Sequence, residues 1–293
     1  MFRMKISEIK DRMENKIAPL KHDLTRTHAR KRCALTVDVE SDLREINFSD
    51  VGEIYSLLDI FNELNIFCTF FFTGRFMEMM PKIVNHVARS GHEIALHGYA
   101  HDSWKGGIEA KIEDLKKLSE LMSSLRMRPL GFRAPCLSIS NRLFILLKSL
   151  GFAYDSSLFE NPIFKPLNLF FPNLYNQPSK KSTLLVEFPL STTPFFRLPY
   201  SLNWLLFLGS TTYKSLTEAY TNEILIFYLH PYDLLPKPQR FGVPYPFRFL
   251  GRKNSKKAFL DFLTYLLNRG FRFVRLADEL HICSSSMRPC EAF

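Results

Sequence analysis

His92-Glu-Ile-Ala-Leu-His-Gly-Tyr-Ala-His-Asp-Ser-Trp104 is the stretch from which the fold of this chain can first be read. Residues 93–97 form a short β-leaning run that ends at a glycine, and two histidines, His97 and His101, straddle that end four residues apart. A backbone turning helical after His97 would bring both imidazoles to one face. Two imidazoles held in that way suit a divalent cation, and zinc commonly takes such nitrogen ligands. A surface helix also carries such a pair often enough, so its meaning depends on where the other reactive residues fall.

Outward from this stretch, strand-like and helix-like segments alternate. Towards the N-terminus, residues 33–39 are apolar and β-leaning, 50–64 carry Ile54, Leu57, Leu58 and Phe61 at helical spacing, 66–72 are dense in β-branched and aromatic residues, and 81–89 read as a helix stopping at Gly91. Towards the C-terminus, helices are expected at 108–125, 141–150 and 256–268. Strands are expected at 130–133, 152–155, 184–190, 223–229 and 271–274. Such alternation means parallel strands joined by helical crossovers. Seven or eight units in about 250 residues predict an α/β fold, a distorted (β/α)7-8 barrel resembling a TIM barrel.

Within that frame the polar residues share an address. Asp38 and Glu40 end the first strand, His97 the third and Arg133 the fourth; Glu187 lies in a later strand, and His230 follows the run 224–229. Barrel enzymes place their chemistry at the carboxyl ends of strands. Strand alternation puts Asp38 and Glu40 on the same side, so both can face one centre. A metal at the histidine pair would polarise a carbonyl and acidify a bound water, a carboxylate beside it could take the proton, and a histidine opposite could protonate a leaving amine.

Composition bounds the rest. The chain has 293 residues, is 46% hydrophobic and contains 28 Phe, enough for a large aromatic core. The formal charge is +10, but residues 1–32 hold ten Lys/Arg against four Asp/Glu, leaving +6 on an N-terminal arm. That concentration argues against a nucleic-acid face spread over the molecule. The arm, residues 1–31, has apolar residues at mostly helical spacing, which fits docking on the body or a neighbouring subunit, or lying on anionic lipid. Five scattered cysteines without a CxxC pair fit a reducing compartment. With no apolar run suited to a secretory signal, the expected location is cytoplasmic, with peripheral membrane contact open.

Four short motifs resemble the carbohydrate esterase family 4 polysaccharide deacetylases, the NodB-homology domain. They are Leu-Thr-Val-Asp38-Val-Glu40, His97-Gly-Tyr-Ala-His101, Phe-Arg133-Ala-Pro135 and Tyr-Leu229-His230-Pro231, in that order, and residues 270–280 are similar to the family's last strand. The likeness covers roughly 32–282, followed by a tail, 283–293. It implies a metal hydrolase that removes an N-acyl group from a sugar. Asp38 would be the base, Glu40, His97 and His101 the ligands of a divalent ion expected to be Zn2+, Arg133 the residue orienting the base, and His230 the general acid.

Two features depart from that pattern. Val39 separates the two acids of the first motif, and the second is Glu, so Asp42 competes with Glu40 as ligand. The family's Asp-Trp element behind the arginine is absent as such, and Glu187 is the expected acid partner of Arg133. An apolar, Pro- and Phe-rich insert, 159–212, is expected to be irregular, and either caps the barrel or meets a lipid-linked substrate at an anionic membrane. Two other classes remain open: a metal-free hydrolase of cyclic amides such as ureides, and a non-catalytic glycan-binding relative.

Overall fold

The structure, a computed structural model, describes residues 31–40, 48–159, 185–235 and 254–280. The basic arm up to residue 30, Asp42, the middle of the insert and the tail 283–293 lie outside the described residues.

The sheet is built around β1 (Arg32–Val39), buried at every position after its first. A near-continuous apolar run of this kind belongs to a parallel strand covered on both faces. One edge of β1 pairs with β7 (Ile224–Leu229), from Arg32 opposite Ile224 to Val37 opposite Leu229. The other edge is shared: β8 (Arg272–Val274) takes its first residues and β2 (Thr69–Phe72) its last four. The remaining strands are β3 (Glu93–Leu96), β4 (Gly131–Phe132), β5 (Tyr154–Asp155) and β6 (Val186–Glu187). They extend the sheet in the order β6-β5-β4-β3-β2-β1-β7, all parallel. Between β6 and β7 the ring is closed by irregular chain. There Ser201 pairs in parallel with Tyr228, and the Ile226 amide donates to Ser191 Oγ at 2.9 Å. This is the distorted (β/α) barrel expected from the alternation.

The helices are α1 (Phe48–Leu64), α2 (Gly74–Met79), α3 (Pro81–Arg89), α4 (Ile108–Ser124), α5 (Asn141–Ser149), α6 (Leu202–Leu208), α7 (Ser210–Glu218) and α8 (Ser255–Asn268). Among the described residues no helix is long and apolar enough to cross a membrane. Two expectations are corrected. The insert is not irregular throughout, because its last part forms α6 and the start of α7, where Ser201 Oγ accepts the Trp204 amide as an N-cap. Nor does the backbone turn helical directly after His97.

Strand alternation divides the core in two. Leu35, Val37, Phe70 and Phe72 point outward against the helices, whereas Ala34, Phe71, Ala95, Tyr154 and Ile226 fill the barrel. Small residues at 34 and 95 leave room for the rings. The tightest fit is at Gly131, where an added Cβ would lie 2.0 Å from Tyr154 Cζ. Tyr154 is fully buried and donates its hydroxyl to Glu93 Oε1 at 2.8 Å, so the ring cannot swing away freely. Gly131→Ala is therefore expected to cost at least the upper end of the roughly 1–3 kcal/mol typical of overpacking. The denaturation midpoint, with the wild type as control, checks this; an unchanged midpoint would show that Tyr154 is not fixed.

Candidate metal centre and catalytic residues

The carboxyl ends of β1, β3, β4 and β7 deliver the reactive side chains to one place. β3 ends at Leu96, and His97 follows with its amide still bonded to Phe72 O at 2.8 Å. Gly98 then turns the chain at φ +71, a left-handed value, in a space where a Cβ would meet Trp104 Nε1 at 2.6 Å. A short 3-10 turn, His101–Lys105, begins only after this bend. The two histidines thus converge across a bend and not along a helix face.

Asp114 on α4 holds the bend. Its buried carboxylate accepts the amides of Tyr99 (2.7 Å) and Ala100 (2.8 Å) and the indole N–H of Trp104 (2.8 Å). The sequence reading passed over Asp114. The available signal was an acid on the same helical stripe as the buried Leu118 and Leu121.

Glu40, one residue beyond β1, is the hub. Its Oε1 lies 3.1 Å from His97 Nε2, 3.2 Å from His101 Nε2 and 3.5 Å from His230 Nε2. Burial alone would raise the Glu40 carboxyl, but the charges of His101 and His230 outweigh it and hold it well below the usual carboxylate range. Burial presses His101 towards neutrality, yet Glu40 and the Cys136 sulfur win and raise it well above an ordinary imidazole. Cys136 borders the site with its Sγ 3.8 Å from His101 Nε2.

The donor set fits a divalent cation. Ligand atoms of Glu40, His97 and His101 all lie within 4.8 Å of one another, and all three residues are buried. His97 Nδ1 sits 2.8 Å from the backbone oxygen of Arg133. A carbonyl can only accept, so Nδ1 carries a proton, and Nε2 is the atom that would ligate a cation beside Glu40 and His101.

Arg133, immediately after β4, joins this cluster to Asp38. It is fully buried, its Nη1 is 2.7 Å from Asp38 Oδ1 and 2.8 Å from Thr36 Oγ1, and its guanidinium lies 4.2 Å above the Phe71 ring. The rest of the fork goes to Ser156, Nε to its carbonyl (2.9 Å) and Nη2 to its hydroxyl (2.8 Å). Next to it, Ser157 Oγ accepts the Ala134 amide and donates to Asp155.

Glu187 is therefore not brought to Arg133, which corrects that expectation. It pairs with Asp155 across adjacent strands. Burial, then the Asp155 charge, raises Glu187 to about 10, and burial raises Asp155 to about 7, so the two carboxyls keep a proton at neutral pH. Groups raised on folding stabilise the protein at low pH, and that contribution is lost as pH rises through about 7 and on towards about 10. Glu187→Gln should accordingly flatten the fall in melting temperature between neutral and alkaline pH. Parallel pH–Tm curves for variant and wild type would show the pair to be irrelevant.

His230 follows β7 and caps the turn Pro231–Leu234. Its Nδ1 is 3.2 Å from Asp233 Oδ2, the same oxygen that accepts the His230 amide at 2.9 Å. The Tyr232 ring stacks on the imidazole at 4.5 Å. Burial would lower His230, but Glu40 and the fully buried Asp233 raise it to about 10. Asp233 too was passed over, although it stands three residues after a histidine at a turn.

A parallel barrel with a buried two-histidine, one-carboxylate centre on its carboxyl rim defines a class of candidate metal-site barrels, and comparison with known proteins narrows it. Residues 25–154 match the polysaccharide deacetylase family model. Over 126 residues the chain is 32% identical to a peptidoglycan deacetylase of Helicobacter pylori, covering 42% of this chain and 43% of that one. Over 92 residues it is 41% identical to a peptidoglycan deacetylase-like protein of Gibberella zeae, covering 31% of this chain and 27% of that one. The chain thus spans less than half the length of these curated relatives. A solved structure from Mycobacterium smegmatis, assigned to the polysaccharide deacetylases, aligns with a TM-score of 0.60 at 20% identity, over 92% of this chain and 96% of that one. The sequence likeness to the polysaccharide deacetylases thus covers residues 25–154, less than half of the chain, and the solved structure extends the shared fold over the rest.

Proposed function

We propose that this chain is a metal-dependent hydrolase that removes an acetyl or formyl group from the nitrogen of an N-acylated sugar. The observation that carries the reading is the double role of Arg133. Its guanidinium holds Asp38, and its carbonyl fixes the tautomer of His97, so one residue sets both base and ligand. A family of deacetylases supplies the reaction class.

Glu40, His97 and His101 are the residues that would hold the cation. Two imidazoles and one carboxylate favour zinc over the oxygen-seeking ions. When bound, it would supply Lewis acidity to the amide carbonyl and acidity to a water. Asp38, oriented by Arg133, would take a proton from the attacking water as the water oxygen adds to the carbonyl carbon. His230, held by Asp233 at Nδ1, gives a proton from Nε2 to the departing nitrogen. The C–N bond breaks to leave an acid and a free amine. The apolar insert fits a sugar carried on a lipid at a membrane face, the finer substrate reading proposed here.

The test is a screen of N-acetylated and N-formylated sugars, free, polymeric and lipid-linked, with released acid and new amine both measured. Release that stops on chelation and returns with zinc is expected. Release indifferent to chelation would remove the metal-dependent reading and restore the metal-free class; no release from any substrate would remove the deacylase reading.

A further inference from the structure

Tyr232 stands in the turn Pro231–Leu234 that follows β7, and strand register explains where its side chain arrives. Val37 of β1 is opposite Leu229 of β7, so Glu40 and Tyr232, each three residues further on, leave the two strands at the same level of the rim. Tyr232 Oη lies 3.4 Å from Glu40 Oε2. Its ring stacks on the His230 imidazole with centroids 4.5 Å apart and planes 14° from parallel. One side chain thus touches both the candidate ligand and the candidate acid.

The two contacts act differently. Glu40 lies beyond the end of β1, on a long side chain with several rotatable bonds, so its carboxylate needs an orienting partner. Oε1 already faces the Nε2 atoms of His97, His101 and His230 at 3.1, 3.2 and 3.5 Å. A phenol hydroxyl donating to Oε2 engages the other oxygen and leaves Oε1 for a cation beside the two histidines. At His230, Asp233 bonds Nδ1 at 3.2 Å and so selects the edge that faces the site, but the ring can still tilt about that bond. Tyr232 covers one face of the imidazole, and Tyr228 stands nearly perpendicular to it at 5.9 Å. A flat ring laid on the imidazole opposes the tilt.

We propose that Tyr232 is a positioning residue with two separable parts: its hydroxyl fixes Glu40 so that Oε1 is presented to a divalent cation, and its ring fixes the plane of His230 so that Nε2 faces the departing nitrogen. In its bearing on turnover the second part rests on the proposed deacylase reading; the first needs only the cation.

Tyr232→Phe keeps the ring and loses the hydroxyl, whereas Tyr232→Leu loses both. In the full chain, Zn2+ affinity is measured by competition with a chromophoric chelator, and turnover of an N-acetylated sugar is measured at saturating Zn2+. The ring-proton signals of His230, identified by their absence in His230→Gln, are followed by NMR. Both Tyr232 variants are expected to bind Zn2+ about tenfold more weakly, the lower end of the range of about 10–100-fold for an outer partner, because 3.4 Å is a long hydrogen bond. At saturating Zn2+, Tyr232→Leu should turn over at least about tenfold more slowly than Tyr232→Phe, with the same KM, since small misplacements of a reacting group can cost about 10²-fold. The His230 signals should keep their upfield positions in Tyr232→Phe and move downfield in Tyr232→Leu, where the shielding of a stacked ring is lost. Wild-type Zn2+ affinity in Tyr232→Phe overturns the role of the hydroxyl. Equal kcat in the two variants, or His230 signals that Tyr232→Leu leaves in place, overturns the role of the ring. A raised KM with unchanged kcat in either variant would make Tyr232 a substrate contact instead. If no sugar is turned over, the deacylase reading falls, and Zn2+ affinity and the His230 signals still decide this one.

Discussion

Asp38→Asn is expected to lower turnover by about 10²–10⁴-fold, the range that a positioned general base contributes, while cation affinity stays at the wild-type value. The fold should survive because the asparagine oxygen can still accept from Arg133 Nη1, now 2.7 Å from Asp38 Oδ1. The buried guanidinium also keeps Thr36 and Ser156. Some destabilisation is expected, since a neutral amide compensates a fully buried charge less well than a carboxylate. Glu40→Gln should fail in the opposite order: cation affinity falls first, and part of the activity returns with excess metal because the base is intact. Metal titration of both variants alongside turnover separates the two acids. Loss of metal in Asp38→Asn with retention in Glu40→Gln would reverse the roles, and a Glu40→Gln variant changed in neither would make Asp42 the better ligand.

His97→Ala carries the second large effect. It removes a donor whose tautomer the fold has already fixed through the Arg133 carbonyl, so little reorganisation precedes binding. Losing an outer partner of a ligand typically weakens metal binding about 10–100-fold, and losing the ligand itself should exceed the top of that range. Activity should vanish with the metal. The variant also leaves the buried Arg133 oxygen without its imidazole, at a cost of about 1–3 kcal/mol, so melting temperature should fall modestly without unfolding. His101→Ala should match the loss of metal without that second effect, because its ring does not bond the Arg133 carbonyl. Full metal occupancy in either variant would remove the ligand assignment.

The order of strands and helices was legible because it follows from local chemistry. A mostly apolar, β-leaning run such as 33–39, set among helical segments, reads as a covered strand, and the stripe Leu115, Leu118, Leu121 reads as a helix face. The polar residues after those strands were legible for the same reason, since charge directly beyond a buried strand has few places to go. The arginine's partners were not. Expecting an acid behind Arg133 suggested Glu187, but adjacent strands set Glu187 beside Asp155, and the guanidinium turned inward to Asp38, Thr36 and Ser156. Which neighbours a long side chain reaches depends on the face it leaves from and on strand register, and both are set by pairings distant in sequence.

The same distinction governs the site. By itself, the sequence determined that Asp38, Glu40, His97, Arg133 and His230 would gather on one rim, because parallel strands align their carboxyl ends wherever they lie in the chain. Only the tertiary structure decided how they meet. Gly98 had to bend the backbone so that His101 could return towards His97, and Asp114, a helix away, had to hold that bend with three hydrogen bonds. Spacing in the chain fixes which residues can be neighbours, but the direction of a lone pair is fixed by hydrogen bonds that exist only once distant segments have packed.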